Sequence, residues 1–240
     1  MARAQDLAQR MIDNANFLKD RGNLARAESL LRQSLELRKR ALGPAHPDIA
    51  QSMNYLANLL FEEDRYAEAE PLFRQSLEMR KKCLGREHRD VASSLSNLAN
   101  LLQSTGRYTE AEPLYLQSLK IRKKVYGPRH QNVAMCMSNL AIFMQRTHRH
   151  TEAESLFEKA LQILNRALGS RHQLTAYTKS NFADFLLLRD RKTEGLILAK
   201  EAFEDLRETL PRGHRYRKWA REVLQRAQKM LKQRRSGSGL

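Results

Sequence analysis

The stretch CLGREHRDVASSLSNLANLL, Cys83 to Leu102, repeats in near copy what the chain writes 42 residues earlier as ALGPAHPDIAQSMNYLANLL, Ala41 to Leu60. The same spacing carries glycines at Gly43, Gly85, Gly127 and Gly169 and histidines at His46, His88, His130, His172 and His214, with no slip of register. A fixed period of this length marks a stacked array, in which each unit leans its apolar face on its neighbours.

Within one unit the apolar and small residues recur at helical spacing. Val91, Leu95, Leu98, Ala99 and Leu102 form one stripe, and Tyr108, Ala111, Leu114, Tyr115, Leu119 and Ile121 form a second. Each unit therefore reads as two helices. The short turn between them is filled at one position by Gly22, Asp64, Gly106, His148 and Asp190; Gly and Asp suit a helix-ending turn, and His148 suits it less well. Gly then closes the second helix, and Pro47 stands where a first helical turn accepts it. Pro71 and Pro113 fall early in second helices, where a mild bend is expected.

The pattern L-A-x2-L, an aromatic residue and then A-x3-F appears as Leu56, Ala57, Leu60, Tyr66, Ala69 and Phe73, and again as Leu98, Ala99, Leu102, Tyr108, Ala111 and Tyr115. It resembles the tetratricopeptide repeat, and the 42-residue wording is similar to the arrays of kinesin light chains and nephrocystin-type proteins. The resemblance implies an all-α protein, a right-handed tetratricopeptide-repeat superhelix of about five helix pairs. We expect the array over 1–213, with pairs at 5–45, 47–87, 89–129, 131–171 and 173–211. The fifth is degenerate, with Lys179, Lys192 and Gly195 at positions held elsewhere by Met or Leu, an aromatic residue and Ala. A capping helix is expected over 214–233, with Trp219, Val223, Ala227, Met230 and Leu231 on one face, and a disordered tail over 234–240. With no matching N-terminal cap, the first pair is expected to tolerate a bare flank, to continue a larger protein or to self-associate.

The 240 residues are 41% hydrophobic and 29% charged, and no run approaches the roughly 18 apolar residues of a membrane helix. The first twenty-one residues carry seven charges, Arg3, Asp6, Arg10, Asp13, Lys19, Asp20 and Arg21, with no apolar stretch between them, which does not read as a secretory signal. Cys83 and Cys136, in different repeats, suggest a reduced cytosolic or nuclear setting, of which the cytoplasm is the expectation. The net charge of +16 asks for an acidic partner or many solvated faces.

No phosphate loop, H-E-x-x-H, G-x-S-x-G or cysteine pair at metal spacing occurs, so no catalytic residue, metal or cofactor is expected. The five histidines read as residues that start first helices, because stacked repeats hold equivalent atoms roughly 8–10 Å apart, far beyond a shared metal ion.

The resemblance implies that the first helices line a concave groove receiving peptides. Its candidate residues are Asn54, Tyr55, Asn58, Asn97, Asn100, Gln103, Asn139, Gln145, Arg146 and Asn181. Asn and Gln offer a donor and an acceptor each, matching a bound backbone; the alternative is that they tie adjacent helices together. A carboxylate clamp is not expected, since its lysine position holds Ile12, Asn54, Ser96, Ser138 and Ser180.

Positive charge gathers at the ends of second helices, at Arg38, Lys39 and Arg40, at Arg80, Lys81 and Lys82, and at Arg122, Lys123 and Lys124. We expect a basic edge, for which Arg38, Lys39, Arg80, Lys81, Arg122 and Lys123 are the candidates. The leading expectation is a non-catalytic scaffold binding a peptide segment, with the edge favouring acidic partners. Alternatives are RNA or polyanion binding along that edge, and a sensor or oligomerisation array of a larger signalling protein.

Overall fold

A computed structural model describes residues 2–237, with side chains over 3–232. Eleven helices, and no strand, occur among the described residues. They are α1 (Ala2–Asp20), α2 (Leu24–Leu42), α3 (Pro47–Glu62), α4 (Tyr66–Leu84), α5 (Arg89–Ser104), α6 (Tyr108–Tyr126), α7 (Gln131–Arg146), α8 (His150–Leu168), α9 (Gln173–Leu188), α10 (Lys192–Thr209) and α11 (Arg215–Gly237). This is the all-α tetratricopeptide solenoid fold.

From α3 on, each first helix opens on a histidine. Nδ1 of His46, His88, His130 and His172 accepts from the backbone N–H two residues on, at 3.1 or 3.2 Å, and His214 does the same for α11. The imidazole thus serves one of the four amides a helix start leaves unpaired. Each first helix closes in a left-handed turn. Asp64, His148 and Asp190 adopt φ of 58°, 61° and 62°, as Gly22 and Gly106 do at 80° and 76°. In each copy two backbone bonds reach back over the turn, for example Arg149 N–H to the Met144 carbonyl at 2.8 Å and His148 N–H to that of Gln145 at 3.2 Å. His148, the residue expected to fit least, takes the same geometry. Pro71 and Pro113 lie inside α4 and α6, which run on through them.

The chain divides into two compact units, 1–125 and 126–240. In the first, α2 packs on α3 and α4 on α5, so each pair rests on the next. The stripe read from the sequence is the core: Val91, Leu95, Ala99 and Ala111 are fully buried, with Leu98 and Leu102 nearly so. Tyr115 and Phe73, one period apart, fill the space between helices. Ser34, Ser76 and Ser118 bind each pair internally, donating to the carbonyls of Ala8, Ala50 and Ala92 at 2.7–2.9 Å.

In the second unit α7 and α8 pack on α9, and α10 and α11 complete the stack. Helix α11 lays Ala220, Val223 and Ala227 against Ala176, Ala183, Leu187, Ala199 and Leu206, with Trp219 and Met230 beside them. It is longer than the expected 214–233; its backbone runs to Gly237, and the rest of the 234–240 tail lies outside the described residues. Lys179, one of the degenerate positions, is buried but pairs with Asp205 at 3.1 Å and Glu201 at 3.2 Å. Gly195 stands where a Cβ would lie 2.9 Å from the Leu187 side chain.

Candidate functional site

The amides of the first unit are divided between structural and unspent groups. Asn97 Nδ2 donates to Asn54 Oδ1 at 3.0 Å and ties α5 to α3. The buried Tyr115 hydroxyl faces two oxygens, Asn100 Oδ1 at 2.6 Å and Gln103 Oε1 at 3.0 Å, and Gln103 is itself only 8% exposed. Asn54, Asn97, Asn100 and Gln103 thus join the scaffold, and Gln103 is corrected from an open groove position to a buried one. Asn58 is half-buried and its side chain meets no hydrogen-bond partner among the described residues. Half-buried Tyr55 lies close to both Arg38 and Arg80.

In the second unit Asn139 is half-buried, again with no side-chain partner. Gln145, Arg146 and Asn181 come together around a cavity of about 280 Å³, with Ile142, Tyr177, Asp184 and Trp219. Asn181 is not open groove surface, because it is 5% exposed and its Oδ1 accepts from Trp219 Nε1 at 2.8 Å. Asp184 pairs with Arg226 of α11, and burial still holds its carboxyl above the usual aspartate range, against Arg226 and Arg146. A second hollow of about 370 Å³ lies among Gln145, Arg146, His148, His150, Phe185, Leu188 and Arg189. Burial first, then the Arg189 guanidinium and the neighbouring His148, hold the His150 imidazole below its ordinary range.

The basic edge needs the larger correction. Arg38 and Arg80 are buried, at 3% and 7% exposure. One Arg38 nitrogen donates to the Asp48 carbonyl at 2.8 Å, Gln51 Oε1 at 3.1 Å and Ser52 Oγ at 3.1 Å, and the other to Gln9 Oε1 at 3.0 Å. Arg80 donates to the Asp90 carbonyl at 3.0 Å and Ser94 Oγ at 2.9 Å. Both fasten a second helix to the start of the next pair, and burial lowers the pKa of each guanidinium. Half-buried Arg122 reaches Ser93 Oγ at 3.3 Å. The remaining candidates lie nearer solvent: Lys39 pairs with Glu36 at 2.9 Å, Lys81 with Glu78 at 2.7 Å, and Lys123 is exposed. A signal was present in the sequence, since the column 38, 80, 122, 164, 206 reads Arg, Arg, Arg, Leu, Leu, and a position that accepts Leu in a sister repeat faces the interior.

Two features escaped the sequence reading. One is a ladder joining second helices through the arginine that opens each: Arg65 meets Glu28 at 2.8 Å, Arg107 meets Glu70 at 2.7 Å and Arg191 meets Glu154. The hydrogen bond from Arg65 is the chief reason Glu28 is held below the ordinary carboxylate range. The other is α11, whose sequence holds nine Lys and Arg against the single carboxylate Glu222.

No helix among the described residues is long and apolar enough to cross a membrane, and no cluster there of three or more His, Cys, Asp or Glu could hold a metal ion.

Among curated proteins none matches this sequence significantly. Among solved structures, a Podosopora anserina protein assigned to the kinesin light chains, with nearly identical TPR-like repeats, superposes with a TM-score of 0.68 at 22% identity, over 87% of this chain and 98% of that one. BtubC (BKLC) from P. vanneervenii gives 0.67 at 20% identity, over 100% of this chain and 84% of that one. The apo form of RapI gives 0.65 at 15% identity, over 84% and 71%. Models of the tetratricopeptide repeat match residues 6–82 and 137–208, and a further one matches 91–132. The chain belongs to the tetratricopeptide-repeat family, with repeats like those of kinesin light chains.

Proposed function

We propose that this protein is a non-catalytic interaction scaffold of the cytoplasm that binds a peptide segment of a partner on its first helices. The supporting observation is a surplus of amides: Asn58, Asn139 and Gln145 are half-buried on first helices, with side chains that meet no hydrogen-bond partner among the described residues. A structural role consumes Asn54, Asn97, Asn100 and Gln103 and leaves these three over. Each can donate to a peptide carbonyl and accept from a peptide N–H, which gives affinity with little demand on side chains. Exposed helix-end cations such as Arg40, Lys82 and Lys123 steer acidic partners, raising the association rate more than they slow release.

The test is the double replacement Asn58→Ala and Asn139→Ala, measured by fluorescence anisotropy on a captured partner peptide and by thermal melting. Binding is expected to weaken about three- to tenfold per lost hydrogen-bonding group with the melt unchanged. Unchanged binding with an early melt would show that these amides hold the fold.

A second reading, polyanion or RNA binding, is favoured by the composition of α11, nine cations to one carboxylate. It predicts a log affinity falling with log salt at about −0.7 per single-strand phosphate contacted.

A further inference from the structure

We propose that the cavity lined by α7, α9 and α11 is a binding pocket for one large apolar side chain of a peptide, whose main-chain carbonyl accepts a hydrogen bond from Asn181 Nδ2. This rests on the peptide-scaffold reading and assigns it a defined anchor point, of which α11 builds one wall.

The argument starts at the indole of Trp219. An indole N–H can only donate, so the group receiving it at 2.8 Å is Asn181 Oδ1, and this fixes which way the amide faces. Its Nδ2 is then buried with no acceptor among the described residues, in a side chain that lines the cavity. Native proteins rarely leave a donor unpaired at 5% exposure, and an acceptor brought from outside removes the cost. The nearest candidate acceptor inside the fold is the Tyr177 hydroxyl: burial raises its pKa and a weak hydrogen-bonding approach from Asn181 offsets part of that rise, but the contact falls short of full hydrogen-bond geometry and leaves Nδ2 unsatisfied, while stacking on Tyr216 at 4.0 Å fixes the ring.

The rest of the lining says what kind of group carries that acceptor. Ile142, Tyr177 and Trp219 present apolar walls, and about 280 Å³ is several times the roughly 30 Å³ share of one water. A lone water would satisfy Asn181 but leave those walls wet, whereas a large apolar side chain beside a carbonyl serves both. A carboxylate fits less well, because Asp184 shares the cavity and both nearby cations, Arg226 and Arg146, already answer it. A neutral main-chain carbonyl meets no such repulsion.

Trp219 is the only tryptophan of the chain, so its emission reports on this cavity alone. The probes are fluorescein-labelled blocked peptides with a Gly-Gly-X-Gly-Gly core, X being Leu, Phe or Gly, and their unlabelled forms, titrated into the millimolar range. The Leu and Phe peptides are expected to change Trp219 emission saturably, and the Gly peptide to bind about tenfold more weakly or worse. Asn181→Asp, which keeps an oxygen for the indole and removes the donor, is expected to weaken the Leu peptide about three- to tenfold. Ile142→Gln, on the α7 wall, serves as a second variant and is expected to do the same with Asn181 intact; circular dichroism checks that both fold. The proposal is overturned if Trp219 responds to none of the peptides, if Leu and Gly bind equally, or if both variants bind as wild type. Labelled peptide bound with Trp219 silent, and lost on Asn58→Ala, would overturn the pocket and leave the scaffold reading standing. A saturable Trp219 response in a protein indifferent to Asn58→Ala and Asn139→Ala would keep the pocket and overturn the amide face.

Discussion

Replacing Arg80 by Met separates a fastening residue from a binding one. Arg80 gives two hydrogen bonds from one nitrogen, to the Asp90 carbonyl at 3.0 Å and to Ser94 Oγ at 2.9 Å, at 7% exposure. Bonds from a charged donor contribute about 1.5–3 kcal/mol each, so their loss alone would cost about 3–6 kcal/mol. Against this stands the burial of the guanidinium itself, visible in its lowered pKa, which the variant no longer has to bear. Ser94 can also rotate to another acceptor, and Met retains much of the packed stem. We therefore expect Arg80→Met to destabilise by about 2–4 kcal/mol. Lys81→Met, next along the helix and paired only with Glu78 near the surface, is expected to cost less than about 1 kcal/mol. Urea unfolding followed by far-ultraviolet circular dichroism measures both. An Arg80 variant that unfolds within about 0.5 kcal/mol of wild type would refute the reasoning, since it would mean the residue is a surface cation after all.

Gly195→Ala is expected to destabilise by about 1 kcal/mol, because a Cβ 2.9 Å from Leu187 overpacks the core by more than the roughly 1 kcal/mol gained in helix propensity; unfolding followed by Trp219 emission checks it, and a stabilised variant refutes it. His88→Ala removes the acceptor that receives Asp90 N–H at 3.1 Å and is expected to cost about 1 kcal/mol in a thermal melt; an unchanged melt would mean that water caps α5 equally well. Asp184 has its pKa raised by burial, so the folded chain keeps a proton that the unfolded chain has already lost. Stability therefore falls as pH rises from the ordinary aspartate value to the raised one, and is level above it. Asp184→Asn is expected to remove that fall and to melt no lower than wild type at neutral pH; a drop of several degrees would show that the Arg226 pair outweighs the cost of burial.

Much of the fold was legible because the repeat copies its backbone demands. A left-handed turn needs the same backbone geometry in every copy, so Gly22, Asp64, Gly106, His148 and Asp190 announced it even where the residue type was unfavourable. The apolar stripes from Val91 to Ile121 followed from helical spacing alone. The site was less legible, for a reason that lies in stacking. Whether Arg38 or Lys39 faces water depends on the helix lying over it, which the charge at a helix end does not reveal. The same holds for amides: Asn58 and Asn97 look alike in sequence, and only the approach of α3 to α5 lets Asn97 reach Asn54 while Asn58 meets no hydrogen-bond partner among the described residues. Trp219 stands outside the period, so nothing in the repeat pointed from Asn181 to its indole.

The central claim, that a partner lies on the first helices and not along the helix ends, is tested most directly by photo-crosslinking. A photoreactive phenylalanine analogue is placed at Asn58 or, separately, at exposed Lys82, and each protein is irradiated with an affinity-captured acidic partner peptide. The account predicts a crosslinked product from position 58 and little from position 82; a product from 82 with none from 58 would contradict it.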